Sequence, residues 1–284
     1  MPTIIILGAG QFGQTAATLL NTNELQLLAY ADNNPRLQNT FYGKVPILSV
    51  EQAIVLQPDL ALVGVTDPDR TIQLRNQALA CGFQGRFLLL SELYNQFDIR
   101  SATLIRLAAR IEEASVPGAI AELGVYQGDL ACKLNALFPQ RSLYLFDTFT
   151  GFDHRDIIIE SGHGYSQAQE NEFSNTTMEK VLSRLPYPAQ AIFRKGYFPD
   201  TITGLDTIRY ALVSLDADLY MPIFSGLEYF YPRLNSGGII LLHDFNNSRF
   251  QGSHQAVRDY EKKQGTLPLI PLCDLHGSAV IIHP

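Results

Sequence analysis

Three sets of residues in this 284-residue chain have the types and spacing for chemistry. The first is acidic: Asp216 and Asp218 in Leu215-Asp216-Ala217-Asp218-Leu219-Tyr220, and His243-Asp244 in Leu242-His243-Asp244-Phe245, each following an apolar run. Both runs read as buried strands, and parallel strands ending this way bring their acids to one carboxyl edge, where open α/β sheets bind ligands. Carboxylates gathered there repel unless a cation or a shared proton compensates, so the pattern predicts a divalent metal on Asp216 and Asp244, with His243 or Asp218 beside them. Oxygen donors favour Mg²⁺. The second set is a pair of glycine turns. Gly8-Ala9-Gly10-Gln11-Phe12-Gly13 has the GxGxxG pattern, and Asp32 follows Gly13 by 19 residues. Glycines let backbone approach a phosphate at a helix N-terminus and the acid accepts ribose hydroxyls, so Gly8, Gly10, Gly13 and Asp32 are candidates for a nucleotide or nucleotide-sugar, with NAD or a turn kept only for packing as alternatives. Glu122-Leu123-Gly124-Val125-Tyr126-Gln127-Gly128 is a second such turn, with Asp147 19 residues after Gly128, but its ExGxxxG pattern is not the dinucleotide fingerprint. The third set is histidine, whose unperturbed pKa near the working pH suits a general base: His163, His154 and His243 are the candidates.

Strands must carry these groups. In the first 95 residues Thr3 to Leu7, Leu25 to Ala31, Leu60 to Val65 and Phe87 to Leu90 read as strands, with helical spacing over Gln14 to Leu20 and Thr71 to Ala80. That is a small parallel unit of four strands. An amphipathic helix over Ser101 to Ala114 opens a second unit, placing the division at 95/96. Strands then follow at Ala119 to Val125, Ser142 to Phe146, Ala191 to Arg194, Tyr210 to Leu215, Gly238 to His243, Leu267 to Leu272 and Ala279 to His283. Seven strands with intervening helices predict a complete doubly wound domain whose last hairpin is antiparallel. Residues 148–174 read as a polar, aperiodic lid or substrate loop. The formal charge of −7 argues against a nucleic-acid partner; three scattered cysteines and the lack of a leader-like or 18-residue apolar stretch predict a cytoplasmic protein off the membrane.

The ExGxxxG turn resembles that of class I S-adenosylmethionine-dependent methyltransferases. Glu122-Leu123-Gly124-Val125, Leu145-Phe146-Asp147-Thr148-Phe149-Thr150-Gly151-Phe152, Gly196-Tyr197-Phe198-Pro199-Asp200-Thr201 and Leu215 to Tyr220, followed by Tyr231-Pro232-Arg233-Leu234 and Gly237-Gly238, resemble successive signatures of the macrocin O-methyltransferase family over residues 101–284. The resemblance implies a class I methyltransferase fold, methylation of a sugar hydroxyl with S-adenosylmethionine and Mg²⁺, cofactor contacts at Glu122, Gly124, Gly128, Asp147, Gly196, Tyr197 and Asp216, and a base in the loop before the first acidic strand end. That makes His163 the first choice of base and His154 the second. It also implies a homo-oligomer. Where the family has Asp-Asp-Tyr this chain has His243-Asp244-Phe245, and the imidazole suits Mn²⁺, Fe²⁺ or Zn²⁺ better than Mg²⁺ or leaves a metal-free variant. The first 90 residues, through Gly8-Ala9-Gly10, Asp32-Asn33 and Val45-Pro46-Ile47-Leu48, resemble the nucleotide-sugar-binding Rossmann-like domain of bacterial sugar acyltransferases. Two competing readings are an NAD-dependent oxidoreductase built on the first glycine turn and a non-catalytic ligand-binding protein.

Overall fold

The computed structural model describes residues 1–284, the side chain at position 95 excepted. The chain divides into two compact units, Met1–Asp98 with Cys273–Leu275, and Ile99–Leu272 with His276–Pro284. The division expected at 95/96 thus falls at 98/99, and a short segment near the C-terminus joins the first unit.

The first unit runs β1 (Thr3–Leu7), α1 (Gln11–Thr18), β2 (Gln26–Ala31), β3 (Thr40–Tyr42), β4 (Val45–Leu48), α2 (Val50–Val55), β5 (Leu60–Val63), α3 (Pro68–Ala80), β6 (Arg86–Leu89) and α4 (Leu90–Gln96). Its sheet has six strands in the order β3-β4-β2-β1-β5-β6, not the four expected. The missed pair carries weak signals: β3 is exposed throughout, and β4 contains Pro46, which marks a strand down because it cannot donate to a ladder. Ser49 closes β4 with a capping box that starts α2. Central strands are apolar on both faces: Ile5, Leu7, Ala29 and Val63 pack on one side, Ile4, Ile6, Tyr30 and Leu62 on the other.

The second unit runs α5 (Ile99–Glu113), β7 (Ala119–Leu123), α6 (Asp129–Leu137), β8 (Leu143–Asp147), α7 (His154–His163), α8 (Met178–Leu182), β9 (Ala191–Lys195), β10 (Tyr210–Leu215), α9 (Tyr220–Phe230), β11 (Leu234–Leu242), α10 (Gln251–Gln264), β12 (Leu269–Pro271) and β13 (Ala279–Ile282). The strand order is β12-β13-β11-β10-β7-β8-β9, and β13 alone runs against its neighbours. Ala121, Leu123, Val213, Leu215, Ile240 and Leu242 fill one face of this sheet; Ile120, Leu143, Leu145, Leu212, Ile239 and Leu241 fill the other.

The stretch 148–174 is not aperiodic, since α7 lies inside it. Asp153 caps its start by accepting from Arg155 N at 3.0 Å, and Gly164 in the left-handed region (φ +68°) ends it. Hydrophobic periodicity misses this helix because its pattern is inverted: Asp156 and Glu160, one turn apart, are the buried residues, while Ile158 is exposed. Among the described residues no helix is long and apolar enough to cross a membrane.

Candidate active site

The ends of β7, β8 and β10 meet where the second glycine turn leaves the sheet. Gly124 has φ +87°, and a Cβ there would lie 2.1 Å from the Asp216 carbonyl oxygen, so only glycine lets β7 and β10 close together. Gly128 (φ +81°) turns the chain into α6, with no room for a Cβ beside Val181. Asp147 fastens this turn to β8. Its Oδ2 accepts from Val125 N at 2.7 Å and Tyr126 N at 2.8 Å, and its Oδ1 accepts from Phe149 N at 2.6 Å. A carboxylate so held has one orientation and still has lone pairs for a ribose hydroxyl. Gly196 N donates to the Asp147 carbonyl at 2.9 Å, which brings Gly196 and Tyr197 to the same edge. Glu122, two residues before Gly124, is buried; burial first, and then the negative charge of Asp216, push its carboxyl well above the usual range, and its Oε2 has no hydrogen-bond partner among the described residues.

One strand further along, the acids gather. Donor atoms of Asp216, Asp218, His243 and Asp244 lie within 4.8 Å of one another. Asp218 and Asp244 both adopt left-handed backbone, φ +60° and +55°, a conformation aspartate tolerates at a cost and one that collects at functional sites. His243 Nδ1 lies 2.8 Å from Asp216 Oδ1 and 2.8 Å from Asp244 Oδ2, bridging the two strand ends. Burial alone would depress this imidazole, but the Asp216 charge and hydrogen bonds to both carboxylates hold it at about 9, so it is a cation at neutral pH. Arg100, from the first turn of α5, donates from Nη2 to Asp216 Oδ2 at 2.8 Å. Burial would raise the Asp216 carboxyl, yet Arg100 and His243 together hold it far below the usual range. Asp218 moves the other way: burial and then its hydrogen bond to Asp244 push its carboxyl well above the usual range. Asn247 Nδ2 donates to Asp244 Oδ1.

Of the residues expected from sequence, Glu122, Gly124, Gly128, Asp147, Gly196, Asp216, His243 and Asp244 lie at this carboxyl edge. The two loop histidines are the first and last residues of α7. His154 is exposed and pairs with Glu170. His163 is exposed as well, hydrogen-bonded through Nδ1 to Ile159 O at 3.0 Å and stacked on Tyr165 with ring centres 5.1 Å apart. Tyr197 donates its hydroxyl to Asp156 Oδ1 at 2.8 Å under the Arg155 guanidinium, 3.4 Å from the ring centre. Burial raises the Asp156 carboxyl to about 6, against a smaller opposing pull from that hydrogen bond. Glu160 Oε1 accepts from Tyr220 N at 2.8 Å at the start of α9. Sequence patterns alone do not mark Arg100, Asp156 or Glu160. Arg100 has no local signature, being 116 positions from its partner, whereas the i, i+4 acids of α7 are visible once the helix is known.

In the first unit, Gly8 (φ +104°) and Gly13 shape the other turn, and a Cβ on Gly13 would lie 2.0 Å from the Gly8 carbonyl oxygen. Gly10 is the N-cap of α1. Asp32 Oδ2 accepts from Ala9 N and its Oδ1 from Asn34 N, both at 2.8 Å.

Residues 98–280 match the family described as macrocin O-methyltransferase (TylF). The chain belongs to this family. Among curated relatives, the 8-demethyl-8-(2,3-dimethoxy-alpha-L-rhamnosyl)-tetracenomycin-C 4'-O-methyltransferase of Streptomyces olivaceus is 26% identical over 178 residues, covering 58% of this chain and 65% of its own. The mycinamicin III 3''-O-methyltransferase of Micromonospora griseorubida is 27% identical over 174 residues, covering 57% of this chain and 67% of its own. The chain therefore spans about two thirds of the length of these relatives. Two solved structures share the fold: the O-methyltransferase NovP, at TM-score 0.53 and 20% identity over 65% of this chain and 79% of that one, and the calicheamicin methyltransferase CalS11, at TM-score 0.53 and 21% identity over 82% and 91%.

Proposed function

We propose that the protein transfers a methyl group from S-adenosylmethionine to a hydroxyl of a sugar acceptor. The observation that carries this reading is the placement, on one sheet edge, of a backbone-anchored acid on the glycine turn (Asp147) and an acidic cluster one strand away (Asp216, Asp218, Asp244). Family membership and the O-methyltransferase activities of the two curated relatives, one named for a rhamnosyl-bearing substrate, support it. The residues present suit the cofactor: Asp147 has lone pairs left for the ribose diol, Gly196 and Tyr197 lie beside it, and the orphaned Oε2 of Glu122 lies beneath the turn. The bound cofactor supplies an electrophilic methyl. A divalent cation entering with loss of the His243 proton would also find donors in Asp216, Asp218, His243 and Asp244, and there it would acidify an acceptor hydroxyl.

The chain's own part is orientation and proton removal. Asp216 and Asp244, fixed by Arg100 and His243, accept hydrogen bonds from neighbouring acceptor hydroxyls and aim one of them along the transfer line. His163 receives the proton in this reading: with Nδ1–H donated to Ile159 O, its Nε2 is the free acceptor, while His154 is engaged with Glu170. In the first unit, Gly8, Gly10, Gly13 and Asp32 form the site for a nucleotide or nucleotide-sugar, supported by the open space around Gly10. The test is calorimetric titration with S-adenosylhomocysteine, with NAD as the competing ligand. Micromolar binding of the former, weakened in Asp147→Asn, upholds the reading; its absence overturns it.

A further inference from the structure

A cleft of about 330 Å³ opens in the second unit beside the acidic cluster, a volume at the lower end of small-molecule sites. Its floor continues the second acidic loop, because Asn247, which lines it, is the residue that donates to Asp244. Part of the lining is aromatic: Phe245 and His254 stack with ring centres 4.7 Å apart, and Tyr165 also lines the cleft. One face of α10 contributes Gln251, His254 and Arg258, which recur at helical spacing. His254 gives Nδ1 to Phe245 O at 3.2 Å, which leaves Nε2 toward a ligand. Amides and aromatic rings at this density are the chemistry that binds a sugar ring.

Arg258 is the anomaly. The other cations of this region are paired: Lys262 with Asp259, Lys263 with Glu228, Arg249 with Glu172. Asp259, the acid next to Arg258 in sequence, also accepts from Gln255 and Tyr220. Among the described residues Arg258 has no such partner, although it lines a cleft in a chain of net charge −7. A guanidinium left free on such a wall is built to meet an anion in a planar, two-pronged hydrogen bond.

We propose that this cleft is the acceptor site and that Arg258 reads an anionic oxygen group, phosphate or carboxylate, attached to the sugar whose hydroxyl reaches Asp216 and Asp244. The acceptor class is therefore a charged sugar such as a sugar phosphate, and not a neutral finished glycoside. This rests on the methyltransferase reading of the same edge, but its test separates the two.

Calorimetry or ligand-observed NMR with a panel of hexose 1-phosphates, hexuronates and the matching neutral methyl hexosides is run on wild type, Arg258→Ala and Arg258→Lys, in parallel with S-adenosylhomocysteine. The expected result is that wild type prefers a charged sugar over its neutral counterpart by at least tenfold. Arg258→Ala removes that preference, Arg258→Lys keeps part of it, and S-adenosylhomocysteine binding is unchanged in all three. The phosphate and uronate arms identify which anion is read. Equal binding of charged and neutral sugars by wild type, or an unchanged preference in Arg258→Ala, overturns the proposal while leaving the cofactor result standing. Failure of wild type to bind S-adenosylhomocysteine overturns the methyltransferase reading instead.

Discussion

The two glycine turns of this chain are built alike and end differently. In the first unit Gly8 N donates to Ala31 O at 2.7 Å and Gly64 N to Leu7 O at 2.8 Å; in the second Gly124 N donates to Phe146 O at 2.9 Å and Asp216 N to Leu123 O at 2.8 Å. Gly8 thus corresponds to Gly124, Asp32 to Asp147, and Gly64 to Asp216. Each acid hangs on backbone N–H groups of its own turn. The last correspondence differs in kind. Gly64 packs against the first turn, where a Cβ would come within 2.9 Å of Gly13 Cα, whereas Asp216 projects a carboxylate into a cluster that the next strand completes with His243 and Asp244. A shared turn supplies a cradle; chemistry depends on what the neighbouring strand ends carry.

The sharpest way to break this comparison is at Gly124. A valine there meets the Asp216 carbonyl in a left-handed backbone, and the second unit is expected to lose its cooperative unfolding transition, a cost of roughly 4 kcal/mol or more, while the first unit keeps its own. Calorimetric unfolding resolves the two. Next in size is Asp216→Asn. If the strand end makes the difference, methyl transfer falls by about two to three orders of magnitude with S-adenosylhomocysteine affinity within about threefold of wild type. Treatment with EDTA lowers the rate at least roughly tenfold if a divalent cation acts at the cluster, and added Mg²⁺ or Mn²⁺ restores it. Equal activity of Asp216→Asn and wild type would remove the acidic cluster from the mechanism.

Much of this contrast is legible in sequence. The strand-turn-helix frame, the seven strands of the second unit and the acids at their ends follow from short apolar runs closed by Gly or Asp, because fully buried parallel strands have strong local signals. The signal fails in three places for physical reasons. β3 and β4 lie toward a sheet edge, so no burial pattern marks them. α7 buries carboxylates in place of hydrocarbons, so its periodicity reads as polar loop. Arg100 reaches Asp216 through tertiary structure alone.

Helix α7 has no equivalent on the first turn, and its inverted face makes a pH-dependent prediction. The Asp156 carboxyl, at about 6 in the fold, lies above its ordinary value of 3.8, so burial favours the protonated form. Its contribution to stability is fully present below about pH 4 and is lost as pH rises through 6. Asp156→Asn keeps an acceptor for the Tyr197 hydroxyl without the buried charge. Relative to wild type it should gain stability between pH 4 and 7 and then level off, by at most about 3 kcal/mol. Denaturant unfolding at pH 4.5 and 7.5 checks this. A stability difference that is flat with pH would mean that the carboxyl titrates as an exposed group.

The smallest effect is also the most discriminating for the comparison itself. Asp147 and Asp32 each sit at the end of the strand beside a glycine turn, and each carboxylate is already committed to backbone N–H groups. An amide at either position turns one acceptor oxygen into a donor and faces it toward N–H groups or ribose hydroxyls, so each turn loosens to a similar degree. The consequence for ligands separates them. Asp147→Asn should weaken S-adenosylhomocysteine by about tenfold, roughly 1.4 kcal/mol, and Asp32→Asn should leave it unchanged. Weakening by both would mean that cofactor affinity depends on the integrity of the whole chain. Weakening by Asp32→Asn alone would move the cofactor to the first turn, and the correspondence between the two units would then run the other way.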